Sequence, residues 1–134
     1  MSDGEPGEDA AARRDLDREI GEELARWGRV CIIETIGRRS GRPARAAVGF
    51  VEDPDGSLLV AAGSEAADWA RNLAAEPRCR VTIEARTEPR RAVRLEGLEH
   101  NAAIVALILR YGTPAERLGE GPAFRLEPDS APPA

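Results

Sequence analysis

The sequence predicts a mainly β domain of the α+β class, with six antiparallel strands closed into a small barrel and accompanied by three helices. Three observations lead there. Short apolar or alternating runs recur between turn signals over residues 29–128. Consecutive runs are joined by connections too short for a crossover helix, which makes neighbouring strands antiparallel. No strand–helix–strand alternation carries a Gly-rich phosphate fingerprint, which argues against a dinucleotide-binding doubly wound sheet.

The elements follow in order. Residues 1–12 are acidic, with Gly, Pro and Ala, and read as a disordered arm. Residues 13–27 place Leu16, Ile20, Leu24 and Trp27 on one helical face. The run 29–37 alternates as a strand, with Val30, Ile32 and Ile36 on one face and Cys31, Ile33 and Thr35 on the other. A second strand spans 44–53, the turn "DPDG" covers 53–56, and a third strand covers 57–63. Residues 64–77 read as a helix capped by Ser64 or Asp68 and stopped by Pro77. Strands at 79–86 and 90–99, an apolar helix at 100–112 closed by Gly112, and a last strand at 121–128 complete the series. One domain over 13–128 and a disordered tail at 129–134 are the expected organisation.

Charge narrows the class of partner. The formal net charge of −5 comes from the N-terminal segment: residues 1–27 hold nine acids and four arginines, and the remaining 15 acids balance 15 arginines. A neutral body argues against a nucleic-acid partner, and an acidic arm argues against an anionic membrane surface. No apolar run approaches the ~18 residues of a membrane span, and the N-terminus lacks the apolar core of a signal peptide. A cytoplasmic protein is the expectation. All 19 basic residues are arginine, so every cation is a planar donor fork. Cys31 and Cys79 have no partner at metal-ligand spacing and read as unpaired strand cysteines. His100, the single histidine, is expected near a helix start, and no metal site is expected.

Three stretches could carry chemistry. "IGRRSGRPAR" sets Arg38, Arg39, Arg42 and Arg45 among Gly37, Ser40 and Gly41 with no acid between them. Glycines that expose backbone N–H groups, with arginines that donate two parallel hydrogen bonds, suit a phosphate or carboxylate. A solvated hairpin turn explains the same residues. In "AAGSEAADWARNL" small residues end a strand and let a flat ligand approach the backbone. Trp69 then offers a stacking face, with Asn72 on the same helical side. Packing explains Trp69 equally well. Tyr111, the single tyrosine, ends an apolar helix as either a packing residue or a proton donor. No nucleophile–base pair or close carboxylate pair stands out, so an enzyme on this scaffold would need a cofactor to supply the chemistry.

The residues "ETIGRRSGRP" (34–43), "AAVGFVEDPDGSLLVAAG" (46–63), Trp69-x-x-Asn72-Leu73 with Pro77, and "GPAFRLEP" (121–128) together resemble the deazaflavin-dependent nitroreductases, also called F420H2-dependent quinone reductases. The resemblance implies a split β-barrel related to FMN-binding oxidases and coenzyme F420 as the cofactor, with FMN as the alternative. It implies hydride transfer to a small-molecule acceptor such as a quinone or nitro compound. It places Arg38, Arg39, Ser40, Gly41 and Arg42 at the phosphate and tail carboxylates. It sets Arg45, Ala46, Ala47 and Val48 along the cofactor, Val60, Ala61, Ala62 and Gly63 at the ring or its linker, and Trp69 and Asn72 flanking the deazaflavin. A non-catalytic binding module is the remaining alternative, and monomer and homodimer both stay open. The chain departs from the family in a shortened stretch before Trp69, where Gly63 stands near the usual lysine and Asp68 directly precedes the tryptophan. It also departs in keeping only Tyr111 of several tyrosines.

Overall fold

A computed structural model describes residues 29–129 of the chain. The arm 1–12, the predicted helix 13–27 and most of the tail lie outside the described residues. The strands are β1 (Cys31–Ile36), β2 (Pro43–Val48), β3 (Val51–Glu52), β4 (Leu58–Ala61), β5 (Arg78–Ile83), β6 (Arg86–Leu95) and β7 (Ala123–Pro128). Two α-helices, α1 (Asp68–Ala75) and α2 (Gly97–Tyr111), and a 3₁₀ helix (Thr113–Glu120) complete the described chain. The expected six strands are therefore seven. Two of the expected three helices are present, and the third falls outside the described residues.

All seven strands form one antiparallel sheet in the order β2-β1-β5-β6-β7-β4-β3. β2 and β3 occupy opposite edges although only Gly49 and Phe50 separate them. The chain thus steps from one edge to the other at a single corner, which curls the sheet into a half-barrel. This corner is why the strand expected over 44–53 is two strands. Tyr111 pins it from the end of α2. Its hydroxyl accepts from Phe50 N at 3.0 Å and lies 2.6 Å from Arg29 O and 3.2 Å from Phe50 O. Gly49 fits closely there: a Cβ would sit 3.1 Å from the Tyr111 ring, tighter than most side-chain contacts.

The sheet buries apolar residues on both faces. Ile33, Val48, Phe50, Leu58, Val60, Leu73, Val81, Phe124 and Leu126 fill the inside of the curl beneath α1. On the outside, Leu59, Ala61, Leu95 and Ala123 pack against Ala103, Ile104 and Leu107 of α2. β4 is covered on both faces, and all four of its residues are buried, which explains the unbroken apolar run "LLVA".

The β5–β6 hairpin departs from the expected bounds. It turns at Glu84, which takes a positive φ of 56°, and β6 already contains Pro89. Pro89 pairs with Arg80 of β5, and its carbonyl accepts from Asp129 N at 3.2 Å just before the β7 ladder begins at Arg90. Helix α1 is shorter than expected and has no side-chain cap. Ser64 instead accepts from Ala66 N at 3.1 Å within the preceding turn. The turn at Asp53–Gly56 forms as expected, with Gly56 N donating to Asp53 O at 3.0 Å.

Candidate functional site

The β1–β2 hairpin carries the basic turn. Gly37 N donates to Arg42 O and Gly41 N to Gly37 O, both at 2.8 Å. Gly41 has a φ of 71°, the left-handed region that favours glycine. Ser40 Oγ accepts from Arg42 N at 3.1 Å and stiffens the turn. The loop is thus closed by its own backbone, without any arginine side chain.

The four arginines divide into two kinds. Arg38 is fastened to α1: its backbone N and its Nη1 donate to Asn72 Oδ1 at 3.2 and 2.8 Å, and its Nη2 pairs with Asp68 Oδ1 at 3.1 Å. Asn72 is buried and donates through Nδ2 to Thr35 Oγ1 at 3.0 Å, and Thr35 is buried too. A polar chain therefore runs from β1 through α1 to the turn and sets where the turn sits. Arg39, Arg42 and Arg45 are exposed, and their side chains make no hydrogen bond or ion pair among the described residues. Arg45 stands opposite Glu34 across the β1–β2 ladder.

Several of the expected site residues meet and others do not. Arg38, Asp68, Trp69 and Asn72 come together where α1 meets the hairpin. Trp69 is half-buried, with its ring centroid 6.1 Å from that of Phe124. Val60, Ala61 and Ala62 are buried. Gly63 is exposed and has no atom within 4 Å of a would-be Cβ, which leaves room for a ligand there. The end of β4 is held by Ala62 N donating to Pro122 O at 2.9 Å. On β2, Ala46 packs inward, Ala47 is exposed and Val48 is buried. Tyr111 stands apart at the Gly49–Phe50 corner, its hydroxyl engaged by backbone.

A groove of about 380 Å³ opens where β1 and β5 stop pairing beyond Glu34 and Arg80. It touches the basic turn at Gly41 and Pro43 and is flanked by Arg78 and Arg80. A second cleft, about 250 Å³, lies at the β5–β6 turn between Glu84 and Arg90. Both cysteines are free, and burial pushes their thiols up to about 12, which makes them poor nucleophiles at neutral pH. His100 is half-buried with Nε2 at 2.9 Å from Gly121 O. Among the described residues no group of three His, Cys, Asp or Glu side chains could hold a metal ion, and no helix is long and apolar enough to cross a membrane.

Sequence reasoning did not find Thr35 and Asp68 as partners of the turn. Asn72 is 37 residues from Thr35 and Asp68 is 30 from Arg38, and no local pattern signals such pairings.

The curled antiparallel sheet, whose two edges are joined at the Gly49–Phe50 corner, is that of a split-barrel protein. Solved structures share this fold. The F420-H2 dependent reductase FDR-A is 24% identical over 74% of this chain and 94% of its own, with a TM-score of 0.63. HutZ, a heme storage protein from Vibrio cholerae, is 24% identical over 87% of this chain and 92% of its own, with a TM-score of 0.64. A heme-binding protein from Mycobacterium smegmatis is 23% identical over 79% and 50%, with a TM-score of 0.61. At these identities the likeness is one of fold. Comparison with curated proteins gives no match. The sequence itself is more specific: it matches the F420H(2)-dependent quinone reductase family over residues 7–113, and the chain belongs to that family.

Proposed function

We propose that the protein is an oxidoreductase that uses reduced coenzyme F420 to pass a hydride to a small organic acceptor, such as a quinone or a nitro compound. The observation that carries this reading is the basic turn: three exposed arginines without side-chain partners among the described residues, on a loop closed by its own backbone and tied through Asn72 to the helix bearing Trp69. A polyanionic tail needs this arrangement, because arginine forks already in place lose less entropy on binding. The donor set fits the phosphodiester and carboxylates of the cofactor.

In this reading Arg39, Arg42 and Arg45 hold the tail, with Ser40 and Gly41 lending the turn. Ala46 to Val48 and the Val60–Gly63 strand end border the cofactor through backbone. Trp69 covers one side of the ring. Asn72 positions the turn instead of touching the ring, since its amide is already used by Arg38 and Thr35. When bound, the deazaflavin supplies the hydride. The chain's own residues orient it and exclude water. Tyr111 acts as the corner clamp, and the proton that accompanies the hydride comes from solvent.

Titration of the full chain with oxidised F420, followed by tryptophan fluorescence, tests the reading. Binding tighter than about 100 μM is expected, equivalent to roughly 5–6 kcal/mol. A protein that is yellow as purified, or that binds FMN and ignores F420, would sink it in favour of a flavin enzyme. Tight binding without turnover over a panel of quinones, nitroaromatics and unsaturated ketones would reduce it to a binding module.

A further inference from the structure

The ion pair at the edge of the basic turn is unequal. Arg38 is the fixed partner. Asn72 Oδ1 receives both its backbone N and its Nη1, Asn72 is itself held by Thr35, and the Arg38 side chain is only 20% exposed. Asp68 is the loose partner. Its side chain is 86% exposed, and among the described residues its only ion pair is the 3.1 Å contact from Oδ1 to Arg38 Nη2. The guanidinium therefore cannot turn away from this position, whereas the carboxylate can. A pair this exposed contributes little to stability.

We propose that Asp68 is a built-in competitor for the ligand of the basic turn. Its carboxylate occupies the outward edge of Arg38, the place an incoming anionic group would take, and so sets the charge a ligand must carry to dock. A ligand with several adjacent negative charges engages Arg39, Arg42 and Arg45 and also displaces Asp68 from Arg38. A monoanion gains too few contacts to do so. Asp68 thereby acts as an affinity-determining residue for anionic ligands that reach Arg38. The inference rests on the reading of the turn as an anion seat and goes beyond it.

The test uses the full chain and two probes, oxidised F420 and tripolyphosphate, which shares the charge but has no ring. Asp68→Asn keeps the shape and removes the charge. It should bind both probes about threefold to tenfold more tightly, the range that an exposed ion pair allows. Inorganic phosphate, run alongside, should gain by a factor no larger than this, since the strength of the pair caps the gain of any ligand that replaces Asp68 on Arg38. The gain should vanish in the Arg38→Gln background. A gain that persists there would overturn the proposal, because the effect would then be general removal of negative charge. So would an Asp68→Asn protein that melts like the parent and binds both probes no better. If the parent and the variant show the expected gain with tripolyphosphate while neither binds F420, the Asp68 proposal stands and the cofactor reading fails.

Discussion

Two corners of the sheet look alike in sequence and differ in what they leave open. The Gly37–Arg42 turn and the Gly49–Phe50 corner each contain glycine, and each lies beside a polar side chain that the sequence offers for chemistry. At the Gly49–Phe50 corner Tyr111 reaches in and uses its hydroxyl on backbone groups of Arg29 and Phe50. At the basic turn the backbone closes the loop alone, one arginine is fastened to Asn72, and Arg39, Arg42 and Arg45 have no side-chain partner among the described residues. Availability separates a candidate binding group from a structural one, and it depends on distant partners that no local motif records.

The comparison can be broken most forcefully at Asn72. Asn72→Ala removes the acceptor for Arg38 and the donor to Thr35 in a buried place, so stability should fall by about 3 kcal/mol, and anion affinity should fall with it as the turn loses its anchor. Thermal melting together with an F420 titration reads both. A stable Asn72→Ala protein that binds normally would show that the turn positions itself. Arg39→Ala should act on one side only. Ligand binding should weaken by about 1–3 kcal/mol, the range for a charged hydrogen bond, with the melting temperature nearly unchanged. Unfolding of that variant would mean that the turn is a structural element. Tyr111→Phe should show the reverse pattern. Phe50 N loses its acceptor and the protein should lose about 1 kcal/mol of stability, while F420 affinity stays as in the parent. A large loss of turnover at unchanged stability would restore the tyrosine to the chemistry.

The smallest effect concerns pH. Arg78 donates to Glu76 from its side chain and its backbone N, which lowers the carboxyl from near 4.5 to about 2. A lowered folded value means that the contribution is present above the unfolded value and is lost as pH falls from about 4.5 towards about 2. Arg78 is exposed and Glu76 half-buried, and solvent screening keeps the effect slight. Melting curves of the parent should converge with those of Glu76→Gln in that acid window, and a difference that grew there would contradict the pairing.

Much of the fold was legible. The continuous apolar run of β4, the Asp53–Gly56 turn and the alternation of β5 were read from local chemistry and are present. The basic turn was located in full. The break at Gly49 was not, because its cause lies 61 residues away in Tyr111. β6 begins at Arg86, ahead of the expected residue 90, for a related reason: whether a strand runs through a proline depends on the neighbouring ladders, which is a tertiary fact. Within the candidate site, residue types were legible and their division of labour was not. Arg38 and Arg39 are adjacent in sequence, and only the position of α1 makes one an anchor and leaves the other exposed.

The corner held by Tyr111 also imposes an order on how the molecule is made. The basic hairpin closes through bonds between residues a few positions apart and can form as soon as β2 has been synthesised. The contact that joins the two sheet edges spans 61 residues to Phe50 and 82 to Arg29. It must wait for the end of α2, and β7 is added between β6 and β4 later still. The loop that would receive the ligand is therefore among the first parts able to fold, and the closed half-barrel around it is among the last.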